Sequence, residues 1–596
     1  MKRVSVPWIF KSALIILLMI TMWGEGYAEL EPGTYVPGEV IVRYADTSSH
    51  TAIASVASSL NAGIGAEMIY TDDIMGIQGM QVVKIPDTVS VQEAVKYYKA
   101  NQYVTYAEPN YITYLPKPIG NANDNVQEAN TDTSGMIIPN DPDFPLQWGL
   151  YNSVNTSAGR ADISAPEAWN ISTGSSDVLV AVIDSGVDYN HEDLAENCVN
   201  GYDFVNNDDD PMDDNGHGTH CAGIISAVTN NSLGISGVSW RSKILPVKVF
   251  DAEGMSNTVL EILGIRYAEE QGAEIISCSW GGYIYSEALK DAIDSSTALF
   301  VCAAGNEGYD TDEIPFYPAG YNSANIIAVG ASDANDVLTW FSNYGATSVD
   351  LVAPGERIYS TLPGGTYGYM DGTSMATPFV SGTAALIKSK KPDYNAGKIK
   401  NLILNSVDKI YWLNSTCVTG GRLNAYKPLS LALPLQAEFM AEPTSGTIPL
   451  NVQFSDLSSG EPETWHWTFG DGLESTLQNP THLYMKPGKY TITLTVTKEG
   501  LSSIAEKEDY INVKPPYQPV KPFPDGKGGY YPAPTDPNND GLFEDINGNG
   551  WLEYEDTKVL FEQIQYAMRE EPIGQFDFDG SGFIGCGDVV TLYQMV

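Results

Sequence analysis

The sequence predicts an α/β protein whose main domain is a doubly wound, mostly parallel β-sheet between two layers of helices. Residues 140–430 contain four continuous apolar runs, at 178–183, 273–277, 298–303 and 326–330. Helix-like segments such as 259–271 separate these runs. A continuous apolar run is typical of a strand that is buried on both faces. In such a sheet, functional side chains belong at the carboxyl ends of strands and at the helix starts that follow.

Length and charge limit the function classes. A chain of 596 residues suggests about four domains, and 43% hydrophobic residues allow a sizeable core. The formal net charge is −43, from 75 acidic and 32 basic residues. A surface this acidic repels nucleic acid and anionic membranes, and it suits calcium binding, solubility or a salty medium. A solvated acidic surface without a specific partner explains the same charge.

Residues 1–28 have the pattern of a signal peptide. Lys2 and Arg3 precede a short apolar run at 13–23, and small residues at 26–28 offer a cleavage site. An uncleaved anchor is the alternative, but the run is short for a span of about 20 residues. The sequence has no other long apolar stretch. We therefore expect a secreted protein, extracellular or attached to the cell surface, with no transmembrane segment in the mature chain.

Cysteine content gives little support for a disulfide framework. The six cysteines are Cys198, Cys221, Cys278, Cys302, Cys417 and Cys586. Export permits disulfides, but the sequence does not assign pairs. We expect Cys221, Cys278 and Cys302 to be free thiols in the core.

A small α+β unit precedes the main domain. Within 35–114, the runs 40–44 and 80–85 alternate as strands do, and 91–98 is helix-like. Residues 115–139 are polar and predict an exposed, cleavable linker.

Three further regions follow the main domain. Residues 436–514 alternate apolar and polar residues between turns, which indicates an antiparallel β-sandwich. Residues 515–535 are rich in Pro and Gly and predict a semi-rigid linker. Residues 536–596 contain a repeat with a spacing of 32 residues and predict a small helical module with calcium-binding loops.

Four short segments of the main domain carry an acid, a base, a nucleophile and an amide donor. Asp184 ends an apolar run, His217 opens a helix-like run, and Ser374 precedes the helix-like run 378–388. A hydroxyl is a weak nucleophile until a base removes its proton, and an acid orients that base. Asn306 follows another apolar run, where its amide can donate to an oxyanion together with the Ser374 backbone N–H.

These segments resemble the subtilisin family of serine proteases, and most closely its thermitase-like members. The resemblance rests on Asp184-Ser185-Gly186, on 217–220, on 303–306 and on 372–378, in the order Asp, His, Ser. It implies the subtilisin fold and a serine endopeptidase acting on protein or peptide substrates. The ending of 35–114 resembles the inhibitory propeptides of that family, which makes the propeptide an expected partner of its own protease.

The same resemblance assigns a substrate-binding cleft. Its implied residues are Ser279, Trp280, Gly281, Ala304 and Gly305. Trp280 stands where relatives often carry smaller apolar residues, so it either reshapes the first specificity pocket or simply packs in the core.

Calcium is the cofactor that the resemblance implies. One family site corresponds to Asp141, Asp193, Val228, Asn231, Leu233 and Ile235. A second, weaker site corresponds to Asp203, Asp208 and Asp210, with Asn206 in place of a family acid. A solvated acidic loop is the alternative for this second cluster. Hard oxygen ligands of these kinds suit Ca²⁺.

Residues 436–514 resemble PKD-type domains, and the C-terminal repeat resembles dockerins. Each repeat fits the EF-hand loop, with oxygen ligands at positions 1, 3, 5 and 12 and Gly at position 6. The first loop offers Asp545, Asn547, Asn549 and Asp556. The second offers Asp577, Asp579, Ser581 and Asp588. The dockerin resemblance implies a cohesin-like or cell-surface partner, and a module for intramolecular docking or surface retention is the alternative.

The sequence therefore predicts a secreted, calcium-dependent serine endopeptidase made as an autoprocessed proenzyme. A non-catalytic surface adhesin that uses the protease fold as a scaffold is the alternative from another class. A peptide ligase with the same fold is a third option.

Overall fold

A computed structural model describes most of the chain as two compact units, Met1–Ala432 and Leu433–Val596, which we treat separately. The described residues are 34–45, 50–116, 136–152, 155–156, 159–460, 462–498, 500–514, 521–525, 527–536, 542–549, 551–571 and 573–595. The predicted signal peptide 1–28 and residues 117–135 of the predicted linker lie outside them. Within the described residues, no helix has the length and apolar character needed to cross a membrane.

The N-terminal part of the first unit is an antiparallel sheet with helices, as the α+β prediction requires. Its strands are β1 (Tyr35–Tyr44), β2 (Glu67–Tyr70), β3 (Met80–Lys84) and β4 (Val104–Tyr114), and its helices are α1 (His50–Ile64), α2 (Asp72–Met75) and α3 (Val91–Lys99). The sheet order is β10-β4-β1-β3-β2, where β10 (Met255–Asn257) comes from the main domain. This predicted prodomain, which we describe over residues 34–116 and so with the first two residues of the predicted linker, reaches into the main domain through β4.

The main domain is built on a nine-stranded sheet of order β17-β18-β14-β13-β12-β11-β7-β9-β8. Its strands are β7 (Leu179–Asp184), β8 (Tyr202–Asp203), β9 (Lys243–Lys248), β11 (Ile275–Cys278), β12 (Leu299–Ala303), β13 (Ile326–Ser332), β14 (Leu351–Pro354), β17 (Asp408–Lys409) and β18 (Gly421–Arg422). All pairings in this sheet are parallel except β17 with β18. Two short hairpins accompany it, β5 (Asn155–Thr156) with β6 (Gly159–Arg160) and β15 (Ile358–Leu362) with β16 (Thr366–Met370).

Helices cover both faces of this sheet. They are α4 (Ala165–Trp169), α5 (His217–Ser226), α6 (Thr258–Glu270), α7 (Glu287–Ser295), α8 (Thr373–Lys390), α9 (Ala396–Asn405) and α10 (Tyr426–Ala432), with 3-10 turns at Phe144–Leu146 and Tyr411–Leu413. Alternate residues of β7 belong to the hydrophobic cores on opposite faces of the sheet. Val180 and Val182 pack with α5 and α8, whereas Ala181 and Ile183 pack with α6 and α7. This two-sided burial explains the continuous apolar runs, and the predicted doubly wound sheet is confirmed.

The second unit begins with two β-sheets around one aromatic core. The strands are β19 (Phe439–Glu442), β20 (Ser445–Thr447), β21 (Leu450–Asp456), β22 (Thr464–Thr468), β23 (Glu474–Ser475), β24 (Thr481–Tyr484), β25 (Gly488–Lys498) and β26 (Leu501–Lys514). They form sheets of order β19-β21-β24 and β20-β26-β25-β22-β23. The core includes Trp467, whose indole packs against Phe439 and Phe454.

Four helices follow, α11 (Tyr554–Glu562), α12 (Ile564–Glu570), α13 (Ile573–Phe576) and α14 (Cys586–Met595). They share a small core that includes Phe523, Leu560, Phe576 and Leu592. All six cysteines of the chain are free thiols in the structure, and Cys221, Cys278 and Cys302 are buried, as expected.

Candidate functional site

Asp184 and His217 form the centre of the candidate site. Asp184 is the last residue of β7, and His217 is the first residue of α5. The His217 Nδ1 atom lies 2.8 Å from Asp184 Oδ1, and both side chains are buried. The helix can approach the strand this closely because Gly218 has no side chain, since a Cβ there would collide with the Gly186 carbonyl. The structure thus pairs the predicted base with the predicted acid.

The electrostatics of His217 suit a proton acceptor. Burial opposes the charged imidazolium, but the charge of Asp184 and its hydrogen bond outweigh burial, so the pKa of His217 is raised above its usual range. When Nδ1 carries the proton shared with Asp184, the other ring nitrogen is the acceptor. That Nε2 atom is buried and has no hydrogen-bond partner among the described residues.

Asp213 is a positioning residue that the sequence analysis did not single out. It is 4% exposed, and its Oδ2 accepts hydrogen bonds from the Thr219 backbone N–H (2.9 Å) and hydroxyl (2.6 Å). Its Oδ1 accepts from the Gly216 N–H at 2.8 Å and from the Ser185 hydroxyl at 2.9 Å. Asp213 therefore ties the first turn of α5 to the segment after Asp184, which fixes His217. Its place four residues before His217 is the signal that could have identified it.

Ser374 lies inside a helix, where the sequence analysis expected it to precede one. The predicted helix 378–388 is part of α8, which begins at Thr373. Ser374 is therefore the second helical residue, and its backbone N–H is one of the unpaired donors at the helix start. The predicted start at 378 is wrong because proline, which is typical of a first helical turn, here lies inside the helix.

Pro378 instead changes how Ser374 is held. Proline has no N–H, so the Ser374 carbonyl loses its partner four residues along the helix. That carbonyl accepts a hydrogen bond from the Ser279 hydroxyl at 2.9 Å, and the Cys221 thiol lies 3.5 Å away. The missing helical hydrogen bond thereby leaves a carbonyl that links α8 to the segment after β11.

The Ser374 hydroxyl donates to the Ser279 carbonyl at 2.9 Å rather than to His217. Rotation about the Ser374 side chain is therefore needed before its hydroxyl can donate to His217 Nε2. Catalytic hydrogen bonds of this kind often form only when substrate is bound.

Asn306 lies where an oxyanion donor is expected. Its Oδ1 accepts hydrogen bonds from the Thr373 N–H and hydroxyl, both at 2.9 Å. The amide nitrogen therefore points away from Thr373, and it lies 3.1 Å from the position that a Cβ on Gly372 would take. Ala304 and Gly305, which precede Asn306, are buried, and the Gly305 N–H donates to the Thr373 hydroxyl at 3.1 Å.

The cleft beside these residues holds the end of the prodomain. In β4, 112–114 pair antiparallel with β10, and Tyr114 forms an antiparallel bridge to Gly281 on the other side. The Leu115 N–H donates to the Gly254 carbonyl at 2.8 Å. A cavity of about 790 Å³ lies along this strand, and its lining includes Pro116 and Asn306. The prodomain thus lies in the cleft as an extended strand between two segments of the main domain.

Trp280 packs in the core. Its side chain is 1% exposed, its Nε1 donates to the Ile183 carbonyl at 2.8 Å, and its ring packs against Phe250. Of the two alternatives from the sequence, the structure favours core packing for its indole.

The carboxylates of the first predicted calcium site converge on the loop 228–236. Asp141 accepts from the Asn230 and Asn231 N–H groups at 2.9 and 3.0 Å. Asp193, which is 0% exposed, accepts from the Asn231 amide and the Ile235 N–H, both at 2.8 Å. These donors are uncharged, so two buried negative charges lie beside a loop rich in carbonyls, a donor set that fits a divalent cation. Val228 also contacts this group, because its N–H donates to the Asp193 carbonyl, and Leu233 N–H donates to the Asn231 side chain.

The second predicted calcium site is not assembled in the same way. The Asp203 carboxylate accepts from the Val205 and Asn206 backbone N–H groups and from the Asn206 side chain. Asp210 accepts instead from the Tyr189 hydroxyl at 2.7 Å, and Asp208 accepts from the Asp210 N–H. No two of these three carboxylates accept from the same residue, whereas Asp141 and Asp193 both accept from Asn231, and this site stays a prediction.

The two C-terminal loops share one internal arrangement. In the first, Asp556 accepts from the Asn547 N–H at 3.0 Å and from the Glu553 N–H at 2.8 Å. In the second, Asp588 accepts from the Asp579 N–H at 3.1 Å and from the Gly585 N–H at 2.6 Å. Position 12 of each loop thus bridges positions 3 and 9. The remaining predicted ligands lie in the same turns, at Asp545, Asn549, Asp577 and Ser581.

The second loop brings three carboxylates together. Single oxygens of Asp577, Asp579 and Asp588 all lie within 4.8 Å of one another, which is close enough to share one cation. Asp184, His217 and Cys221 form a second group of three at the candidate active site. Burial raises the pKa of the Cys221 thiol well above its usual range, which disfavours the thiolate form that would bind a metal ion.

Comparison with known proteins is consistent with this geometry. Residues 175–427 match the subtilase family, 435–513 match the PKD domain, and 24–110 match the fervidolysin N-terminal prodomain. Thermitase of Thermoactinomyces vulgaris is 44% identical over 297 residues, which cover 48% of this chain and 98% of that protein. A thermophilic serine proteinase of Bacillus sp. (strain AK1) is 39% identical over 404 residues, which cover 67% of this chain and 89% of that protein.

One solved structure is similar over most of the chain. Fervidolysin from Fervidobacterium pennivorans, described as a keratinolytic enzyme related to subtilisin, superposes with a TM-score of 0.57 at 23% identity. The match covers 82% of this chain and 79% of that one, and at this identity it supports the fold. The resemblances to subtilases, to their prodomains and to PKD domains are thereby confirmed.

We expect the acid limb of the pH–activity profile to reflect the ionisation of the His217 imidazole. The base must be neutral to accept a proton, so kcat/KM rises as pH passes upward through a pKa that Asp184 holds high. Asp184→Asn removes that charge, so the limb should move to lower pH while kcat falls by about 10⁴. The measurement is kcat/KM between pH 4 and 10 after an added protease has removed the prodomain from each protein, with Asp203→Asn as a control that leaves the limb in place. An unchanged limb in Asp184→Asn would contradict the assignment.

Proposed function

The chain belongs to the subtilase family of serine endopeptidases, and we propose that it is a secreted, calcium-dependent zymogen that acts through Ser374, His217 and Asp184. The observation that carries this proposal is the buried 2.8 Å contact between His217 and Asp184, with the Ser374 hydroxyl held at the same cleft by Ser279.

The proposed reaction begins with a substrate strand in the groove that β4 occupies. The Ser374 oxygen attacks the scissile carbonyl while His217 Nε2 takes the hydroxyl proton. Asp184 keeps the imidazole oriented and stabilises its cation. The same proton then passes from Nε2 to the leaving amine, and a water molecule completes hydrolysis of the acyl-enzyme by the reverse sequence.

Negative charge on the carbonyl oxygen would be stabilised by two donors. Thr373 fixes the Asn306 amide, so its Nδ2 is already oriented before the reaction. The Ser374 N–H, at the start of α8, is the second donor, and the positive end of the helix dipole adds to it. Fixed donors act without the reorganisation that water would need.

We propose that the prodomain keeps the enzyme inactive until the linker 115–139 is cut. Three groups at the start of α7 donate to the prodomain residue Glu108: the Ser286 hydroxyl (2.6 Å) and the Glu287 and Ala288 N–H groups (both 3.0 Å). Another prodomain residue, Thr113, donates to Glu261 at 2.5 Å. Burial raises the pKa of both carboxyl groups to about 7. These contacts support a prodomain that binds as a specific inhibitor.

Calcium would serve stability in this proposal. Asp141, Asp193, Asn231 and the carbonyls of 228–235 would hold one ion, and the two C-terminal loops would hold two more. When bound, Ca²⁺ would neutralise buried carboxylates and fasten the loop 228–236 to the start of the main domain. The acidic cluster at Asp203 is the weaker candidate because Asp203, Asp208 and Asp210 accept from different residues, whereas Asp141 and Asp193 both accept from Asn231.

The remaining modules suggest attachment. The sandwich 436–514 and the dockerin-like repeat 536–596 would bind a cohesin-like or cell-surface partner after export directed by residues 1–28. In the adhesin alternative these modules carry the function, and the cleft is inert. Labelling of Ser374 by a fluorophosphonate distinguishes the two, because only an activated serine reacts.

We expect Ser374→Ala to lose casein cleavage and to leave the prodomain attached. The substitution removes the nucleophile and its hydrogen bond to the Ser279 carbonyl, while the Ser279 hydroxyl can still donate to the backbone carbonyl of residue 374. Electrophoresis and intact mass of the secreted protein, compared with wild type in calcium, give the result. Processing of the variant at the wild-type rate would contradict autocatalysis.

We expect chelation to lower the melting temperature of the Ser374→Ala protein, in which autolysis is absent. An ion at 100 times its Kd stabilises the native state by about 2.7 kcal/mol, which corresponds to roughly 5–10 °C in a domain of this size. Calorimetry with and without chelator measures the shift. Asp193→Asn should reduce it, whereas Asp203→Asn should not. An identical melting temperature with and without chelator would remove the calcium proposal.

A further inference from the structure

A slot opens between two strand ends beside Asn306. Strands β11 and β12 pair in parallel through Cys278 and Cys302. Beyond this pair, the segments 279–281 and 304–306 continue as the walls of the cleft. The side chain next to a scissile carbonyl held at Ser374 and Asn306 would enter the space between these walls.

The ring of Phe316 lies between the two walls. A Cβ on Gly281 would collide with Phe316 Cε1, and a Cβ on Gly305 would lie 3.1 Å from Phe316 Cδ2. One ring therefore contacts both glycine positions, one on each wall. The side chain is 3% exposed, and it also lines the cavity that Pro116 and Asn306 line.

Neighbouring side chains hold this ring in place. The Tyr283 ring packs edge-on against Phe316 at 5.1 Å, and its hydroxyl donates to Glu307 at 2.6 Å. The same Glu307 oxygen accepts from the Asn306 N–H at 2.9 Å. Because Tyr283 is fixed at both ends, Phe316 has little room to move away from an entering side chain.

We propose that Phe316 closes the slot and restricts the residue that precedes the cleaved bond to a small side chain, such as Gly, Ala or Ser. The inference rests on the proposed function and adds its substrate class. A large side chain would have to displace a buried aromatic ring that is packed on both sides. Side-chain preference, which the sequence analysis linked to Trp280, is thus assigned to Phe316.

The test compares kcat/KM of the processed enzyme for four chromogenic peptides that differ only in this residue: Ala, Ser, Leu and Phe. Wild type should prefer Ala over Phe by at least ~10-fold, and Phe316→Ala should reverse the ratio, since pocket fit is worth about 10–200-fold. Phe204→Ala, which removes the same atoms from a half-buried ring outside the cavity, should keep the wild-type ratio. Phe316→Leu provides a smaller change if Phe316→Ala does not fold.

Equal rates for Ala and Phe in wild type, or an unchanged ratio in the Phe316 variants, would overturn the proposal. Failure of the proposed function has a different signature. In that case fluorophosphonate does not label Ser374, and none of the four peptides is cleaved.

A second inference comes from the register of the prodomain strand. Tyr114 bridges Gly281, so antiparallel pairing brings Pro116 opposite Ser279. The Ser279 carbonyl is the acceptor of the Ser374 hydroxyl, so this register aligns Pro116 with the residue that holds the proposed nucleophile. A residue with an N–H at this position would donate to the Ser279 carbonyl, but proline has none.

We infer that Pro116 protects the prodomain strand from cleavage. Without a competing N–H, the Ser374 hydroxyl stays on the Ser279 carbonyl and away from His217 Nε2, which has no partner among the described residues. The bond between Pro116 and Lys117 therefore resists attack, and the first cut falls further along the linker.

The full-length chain provides the test. Wild type should process to an N-terminus beyond residue 117, whereas Pro116→Ala should give Lys117 as the N-terminus and process at least ~10-fold faster. Pro118→Ala removes a nearby proline and leaves residue 116 without an N–H. It should not yield a chain whose N-terminus is Lys117. Intact mass at timed intervals identifies each cut. A Lys117 N-terminus in wild type, or no change of cut site in Pro116→Ala, would overturn the inference.

Discussion

The hydrogen bond between Asp184 and His217 is the interaction on which the rest of the cleft depends. Both groups are buried, and either would be costly alone, because a buried charge without a partner loses its hydration. Their pairing requires the end of β7 and the start of α5 to meet within hydrogen-bond distance, which in turn requires glycines at 186 and 218. Asp213 then fixes the helix start, so the geometry of the base is set by backbone contacts as much as by its own partner.

Ser374 depends on a different kind of constraint. Pro378 interrupts the hydrogen-bond ladder of α8 one turn after the serine, and Ser279 uses the carbonyl that this leaves. The Ser374 hydroxyl returns a hydrogen bond to the Ser279 backbone. Two segments that are 95 residues apart in the sequence are therefore linked by a reciprocal pair of hydrogen bonds at the proposed nucleophile.

Much of the fold could be predicted from the sequence because strands buried on both faces have continuous apolar runs, as at 298–303. Asp184, His217 and Asn306 could be proposed because the segments that contain them resemble the subtilisin family together and in one order, at the ends of apolar runs or at a helix start. Phe316 could not, since it lies in a connecting segment, and nothing local shows which glycines its ring will reach. The position of Ser374 within α8 was also missed, because proline usually marks the first turn of a helix and here lies inside it. The partners of Asp203 and Asp213 depend on loop geometry, which composition does not reveal.

The pairing of β4 with β10 has a consequence for the molecule without its prodomain. Within the described residues, Met255–Asn257 pairs with no strand other than β4, so the departure of β4 leaves the strand edge that faces it unpaired. Proteins usually cover such edges because any extended chain can pair with them through its backbone. If substrate takes the place of β4 as proposed, the edge would bind main chain rather than a particular sequence and would favour unfolded proteins over folded ones. Frayed copies of the protein itself would then bind in the same way, so its lifetime would fall as its concentration rises.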